Sequence, residues 1–239
     1  MSTIEDLHKF ISEKWREYCA ADPIRLAPYN IRVPFTDWEA RFFMRGFELG
    51  LFDVTGSDGI IIYGRLGGET KKNFFYPRKP GNCREAVTQF AAITELIEAY
   101  GYPAENVLAE SVKRGKSQRY ALDALVFECP RPTIRHADAL WPPVSIAMEA
   151  KSNAGQVKKL MRQIDECQQR GSHDNGVHTL AARCDHAKFQ GILDWQPAYF
   201  WVVSPIYKDR ASYLVRRVNE PSFSLERVED IPKFIDTTP

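Results

Sequence analysis

Charge of one sign is what this sequence most plainly lacks. Its 32 Lys and Arg against 31 Asp and Glu leave a formal net charge of +1, so no bulk field draws the chain to nucleic acid, and any such affinity must be local. Cysteine is scarce and unpatterned. Cys19, Cys83, Cys129, Cys167 and Cys184 form no CxxC pair, and their odd number argues against a disulfide framework and for a reducing cytoplasm. No run reaches the roughly 18 apolar residues of a membrane helix. The start, MSTIEDLHKFISEKW, has neither the basic segment nor the apolar core of a signal peptide. A soluble cytoplasmic protein with no membrane partner is expected. Internal repeats and low-complexity segments are absent, as are a GxSxG nucleophile elbow and a GxxxxGK[ST] phosphate loop. His173, His178 and His186 lie near Cys184 and Asp185, but their spacing fits no zinc finger and no HExxH helix.

What is present is a chain of 239 residues, 44% hydrophobic and 12% aromatic, long enough to bury a sizeable core. Ile4, Leu7, Phe10, Ile11 and Trp15 recur at helical spacing behind Ser2 or Thr3 as a cap. A second helix is expected from Trp38 to Leu51, a strand from Gly59 to Leu66, and a turn or short hairpin, marking a boundary, from Gly67 to Asn82. From Arg84 to Tyr100 the residues Val87, Phe90, Ile93, Leu96 and Ile97 share one helical face, with Gly101 as a C-cap. Three β-rich segments follow, VLAESVK from Val107, YALDALVF from Tyr120 and VSIAMEA from Val144. A polar helix from Gly155 to Arg170 comes next, then strand-like runs at His178–Ala182, Tyr199–Ser204 and Ser212–Val218. The order points to an α/β fold, a mixed central β-sheet flanked by helices. It divides as an α+β extension over 1–82 and a main domain over 83–239.

Two of these strands carry an anomaly. In YALDALVF, period two sets Leu122, Ala124 and Val126 on one face and Asp123, Leu125 and Phe127 on the other, so a carboxylate sits inside an apolar strand. A buried carboxylate is costly unless it is paired or coordinated. In VSIAMEAKS, Glu149 and Lys151 are two residues apart and project to one face at a strand end. Asp123 and Glu149 offer hard oxygen ligands suited to Mg²⁺, with Mn²⁺ able to substitute, and the backbone carbonyl of Ala150 can add a third. An ion so held acidifies a bound water and neutralises charge developing on a phosphodiester. The Lys151 ammonium then positions that water or stabilises the transition state. A bare D…ExK pattern also arises by chance, and its bland alternative is a Lys–Glu salt bridge at a strand end.

The stretch from Arg84 to Gln163 resembles the N-terminal nuclease domain of the restriction subunit of type I restriction-modification enzymes, a branch of the PD-(D/E)XK superfamily. The likeness rests on the helix REAVTQFAAITELIEAYGYPAENVLAE with its GYP turn and following strand glutamate, the strand RYALDALVF, the triplet Glu149-Ala150-Lys151, and a glutamine in the next helix. It implies a restriction-endonuclease-like fold and cleavage of double-stranded DNA with Mg²⁺. By that likeness Asp123 and Glu149 match the metal-binding acids and Lys151 the catalytic lysine. Glu85 matches an acidic position near the site, though an acid opening a helix is also favoured by the macrodipole. Gln163 matches the glutamine of a QxxxY motif, whose tyrosine position is Cys167 here.

The resemblance covers about a third of the chain. It implies as partners DNA, a translocase region, and modification and specificity subunits. The missing phosphate loop leaves open a nuclease part of a longer motor protein, to which the connector-like ending VEDIPKFIDTTP leans, or a free-standing nuclease. A repair or processing nuclease on the same fold and a non-catalytic DNA-binding module are the alternatives. Local basic stretches that might meet DNA are Lys71-Lys72, Lys113-Arg114-Gly115-Lys116 with Arg119, and Lys158-Lys159 with Arg162. Arg131, Arg135 and His136 add a further group from the loop after Asp123, but each stretch reads equally as solvated surface. Trp38, Trp141, Trp195 and Trp201 read as packing residues, Trp141 being the one best placed to stack on a base.

Overall fold

A computed structural model describes residues 2–21, 34–68, 72–75, 83–111, 122–130, 141–171, 187–219 and 222–235. The run at 178–182, the basic stretch at 113–119, Lys71, Arg131, Arg135, His136, His173, His186, Cys184 and Asp185 lie outside them.

The first helix, α1 (Ile4–Ala20), begins where its sequence says it should. Thr3 accepts from the Asp6 N–H while Asp6 accepts from the Thr3 N–H, a capping box that satisfies two otherwise orphaned donors. Helix α2 (Asp37–Glu48) repeats the device with Thr36 and Glu39. Here the capping acid has a second task. Glu39 is fully buried and accepts 2.8 Å from the Thr88 hydroxyl on α3 (Cys83–Glu98), so one carboxylate both starts α2 and fastens it to α3. The two helices pass closely at Gly46, where a Cβ would meet Thr94 Oγ1 and lie 2.6 Å from the Phe52 ring. Helix α3 closes at Gly101, whose φ of +80° is the left-handed conformation a C-cap glycine supplies.

Strands β1 (Phe52–Thr55), β2 (Ile60–Tyr63) and β4 (Lys72–Asn73) form a small antiparallel sheet in the order β1-β2-β4. The main sheet has seven strands in the order β10-β9-β8-β7-β6-β5-β3. They are β3 (Gly67–Gly68), β5 (Val107–Ser111), β6 (Leu122–Phe127), β7 (Val144–Ala150), β8 (Tyr199–Val203), β9 (Ala211–Asn219) and β10 (Ser222–Val228). Pairs β3/β5 and β7/β8 are parallel and the rest antiparallel, so the sheet is mixed as expected. The parallel β7/β8 pair spans a crossover that carries α4 (Ala154–Gly171) and α5 (Ala187–Trp195), since adjacent parallel strands cannot be joined by a tight turn.

Two apolar layers cover the sheet. One joins α1, α2 and α3 to Ala124, Val126, Ile146, Met148 and Trp201. The other joins α4 and α5 to Leu125, Phe127, Ala147, Phe200 and Val202. This alternation follows period two along β6 and β7, with one exception. Leu122 lies in the second layer, not with Ala124 and Val126, because it is the first residue of β6 and pairs with Ser111 beside a backbone irregularity at Glu110. The first layer runs without a break across residues 82 and 83, and Gly67–Gly68 pairs with β5. The N-terminal elements therefore pack on the main sheet and contribute to its edge. Trp141 stacks on Phe127 and meets Trp195 edge-on, a packing role in keeping with its aromatic neighbours. No helix among the described residues is long and apolar enough to cross a membrane.

Candidate functional site

Register brings the two strand acids together. Ala124 pairs with Met148, so one step further the antiparallel register sets Asp123 level with Glu149. The same step from Ala109↔Ala124 sets Glu110 level with Asp123, giving three acids in a row across β5, β6 and β7. Asp123 is 5% exposed and Glu149 0%, and carboxylates so deep must be paired.

The pairing is dense. Glu149 Oε1 lies 2.6 Å from Lys151 Nζ, and its Oε2 lies 2.9 Å from Nζ of Lys188 on α5. Asp123 Oδ2 accepts from the Ala150 N–H at 2.8 Å. Lys151 donates its backbone N–H to Val203 O on β8. Because alternate residues of an inner strand address opposite neighbours, Ala150 turns both its N–H and its carbonyl toward β6 and the Asp123 side. A shell behind the acids comes from α3 and β4. Gln89 Nε2 donates to Glu110 Oε1 and to the Asp123 carbonyl, each at 2.9 Å, and Lys72 Nζ donates to Glu110 Oε1 at 2.8 Å. Glu110 sits at φ 52°, a conformation costly for a residue with a Cβ and one that tends to persist at functional sites.

Electrostatics keeps these groups ionised. Burial alone would raise the Asp123 carboxyl, but the ammonium groups of Lys188, Lys72 and Lys151 and the Ala150 N–H outweigh it and hold the group below its ordinary value. For Lys151, burial would strip the proton, yet Glu149 and Asp123 overcome it and push the ammonium up. Lys72 and Lys188 follow the same logic, against Asp123 with Glu110 and against Glu149 with Asp123 respectively. Lys151 is thus a fixed positive charge rather than a proton acceptor. Glu85 stands at the rim of the site, half exposed and 4.0 Å from Lys151. Its carboxyl is raised by burial and by Asp123.

Of the residues expected from sequence, Asp123, Glu149, Ala150, Lys151 and Glu85 meet here. Gln163 lies on α4, partly buried, on the helix whose Leu160, Ile164 and Cys167 enter the second apolar layer. Lys158, Lys159 and Arg162 are exposed on that helix, Arg162 being 3.7 Å from Glu166 one turn on. Lys72, one of the basic pairs read as surface, is instead drawn inward to Glu110. Lys188 and Gln89 carried no local signal. Glu110, the strand glutamate of VLAES, showed the same anomaly as Asp123, an acid in an apolar strand.

Among the described residues no three His, Cys, Asp or Glu side chains gather as a ready metal cluster. The donor chemistry still suits a hard divalent ion. Two buried carboxylates on neighbouring strands and a carbonyl facing the same side form an oxygen set of the size Mg²⁺ uses when it keeps most of its waters. Comparison with models of protein families, with curated proteins and with solved structures finds no match for this chain.

Proposed function

We propose that this chain is a metal-dependent nuclease built on the PD-(D/E)XK plan, hydrolysing phosphodiester bonds of double-stranded DNA as the nuclease part of a type I restriction subunit or a related defence enzyme. The observation that carries the reading is the alignment of Asp123 with Glu149 across β6 and β7, with Lys151 bonded to Glu149 and Glu85 at the rim. A chance triplet would be expected to scatter its three side chains. A plain salt bridge between Lys151 and Glu149 would not bury a second acid beside it, since folding gains nothing from an added desolvated carboxylate.

Asp123, Glu149 and the Ala150 carbonyl would hold Mg²⁺ or Mn²⁺. When bound, such an ion supplies Lewis acidity and lowers the pKa of coordinated water. The chain's own part is orientation and charge. Lys151, kept protonated by the two acids, places a positive charge where negative charge grows on the phosphoryl oxygens. The Ala150 N–H holds Asp123 in one rotamer, and Gln89 ties the Asp123 backbone to Glu110, so the acids are fixed before substrate arrives. One P–O ester bond breaks as one bond from water oxygen to phosphorus forms, and the departing oxygen is protonated from solvent.

The test is cleavage of supercoiled and linear plasmid by the full chain in Mg²⁺ or Mn²⁺, with EDTA and with Asp123→Ala and Glu149→Ala as controls. Metal-dependent nicking or linearisation that vanishes in both variants supports the assignment. Cleavage that persists in the variants assigns the activity elsewhere. If the chain requires a translocase partner, the same comparison is made in the assembled complex.

A further inference from the structure

The site contains one cation more than the proposed chemistry needs. An ExK arrangement uses a single lysine, yet the Glu149 carboxylate is gripped from both sides, by Lys151 on Oε1 and by Lys188 on Oε2. The two lysines reach it differently. Lys151 follows Glu149 in the chain, just past the end of β7, and its backbone is bonded to β8, whereas Lys188 arrives from α5, across the second apolar layer. It is the second residue of that helix, and its side chain is about one-fifth exposed, so the ammonium has a route to solvent that the Glu149 carboxylate lacks.

Charge balance gives the arrangement a purpose. Asp123 and Glu149 with Lys151 alone would leave one buried negative charge uncompensated, a costly state. Lys188 brings that inner group to neutrality. A divalent ion added to the neutral group would raise it to +2, so binding is opposed while the Lys188 ammonium stays in place and is favoured once it withdraws. We infer that Lys188 is a tethered counter-ion occupying the cation position on Glu149 Oε2, and that a divalent metal binds this site by exchange with it. This rests on the nuclease reading above and identifies how that site takes up its ion. Lys188 is a positioning residue in this scheme: it holds the Glu149 carboxylate ready, and its ammonium, once displaced, remains tethered at the edge of the site where a substrate phosphate would lie.

The experiment is Mn²⁺ titration by calorimetry, without DNA, of the full-length wild type, Lys188→Met, Lys188→Arg and Glu149→Gln, with a thermal melt of each metal-free protein to establish folding. Exchange predicts that Lys188→Met binds Mn²⁺ about tenfold tighter or more, because a competing cation has been removed, while its metal-free form melts lower. Lys188→Arg, which retains the charge, should bind within a few-fold of wild type. Glu149→Gln should not bind. Unchanged or weaker binding by Lys188→Met, with Glu149→Gln silent, overturns exchange and leaves the metal site standing. Binding that ignores Glu149→Gln, or none in wild type and Lys188→Met alike, overturns the metal site and the exchange together. Should Lys188→Met fail to fold, Lys188→Gln, similar in length and uncharged, takes its place with the same expected tightening.

Discussion

Glu149→Gln keeps the size and the hydrogen-bonding atoms of the side chain and removes only its charge. In the folded protein that charge is fully buried and answers two ammonium groups, Lys151 at 2.6 Å and Lys188 at 2.9 Å. Deleting one partner of a buried ion pair costs about 3–5 kcal/mol, because the other is left desolvated and unpaired. The lysines here are 16% and 22% exposed, so each can turn partly to water, and Asp123 remains nearby as a weaker partner. The expected loss is therefore nearer ~2 kcal/mol, which for a chain of this length lowers Tm by about 4–8 °C. Metal adds a second reading of the same variant. Saturating Mg²⁺ at about a hundredfold above Kd stabilises a protein that binds it by ~2.7 kcal/mol, so wild type should melt several degrees higher with Mg²⁺ and the variant should not respond. Differential scanning fluorimetry with and without Mg²⁺, checked by circular dichroism, measures both. A metal-free variant melting within about 1 °C of wild type would refute the buried ion network, and a Mg²⁺ response that survives the substitution would refute Glu149 as a ligand.

Four further outcomes are expected. Lys151→Ala should lose DNA cleavage while still binding metal by calorimetry, and cleavage near the wild-type rate would remove Lys151 from the mechanism. Asp123→Asn should flatten the acid limb of stability: a carboxyl held below its ordinary 3.8 contributes stability that is present above that pH and lost as pH falls through the lower folded value. Urea unfolding from neutral pH down past that point should therefore lose stability less steeply in the variant. Gln89→Leu deprives Glu110 and the Asp123 carbonyl of a shared donor and should cost about 1–3 kcal/mol in chemical denaturation, along with a fall in cleavage. Gly46→Ala forces a methyl into Thr94 and Phe52 and should cost about 1–3 kcal/mol from overpacking, with cleavage at low temperature unaffected.

Local chemistry is what the sequence made visible. Thr3 could be read as a cap because the device lies within four residues, and Gly101 as a stop because one residue suffices. Asp123 and Glu149 stood out because an acid inside an apolar strand is anomalous wherever the strand goes. The mixed α/β layering followed from the order of the periodic segments. What stayed hidden depends on distance. Strands β3 and β4 are two residues each and have no period to detect. Helix α5 is nine residues with a glycine in its middle, too short for its apolar face to emerge. Strand β10 does alternate Phe223 and Leu225 with Ser224 and Glu226, and was legible in principle. Leu122 broke the alternation because pairing beside Glu110 is irregular, a tertiary fact that no pattern along β6 contains. Lys188 is the strongest case: nothing near it in the chain distinguishes it from other lysines, and only the crossover from β7 to β8 brings it to Glu149.

The same separation explains why composition was silent about charge. Around the row of strand acids stand four carboxylates, Glu85, Glu110, Asp123 and Glu149, and three ammonium groups, Lys72, Lys151 and Lys188, a sum near neutrality. Each sign is needed for a different reason: the acids for hard oxygen ligands, the lysines to make burial of those acids tolerable and to face a phosphate. A site that must hold a dication and then a polyanion is best balanced before either arrives, because a strongly acidic site would repel the phosphate and a strongly basic one the metal. Balance within the site keeps its field short in range, so it adds almost nothing to the net charge. On this argument a charge-reversal that unbalances the cluster without touching a ligand, such as Lys72→Glu, should impair DNA binding in gel-shift assays even where Mn²⁺ affinity rises. Equal losses of both would mean that Lys72 matters only as the structural partner of Glu110.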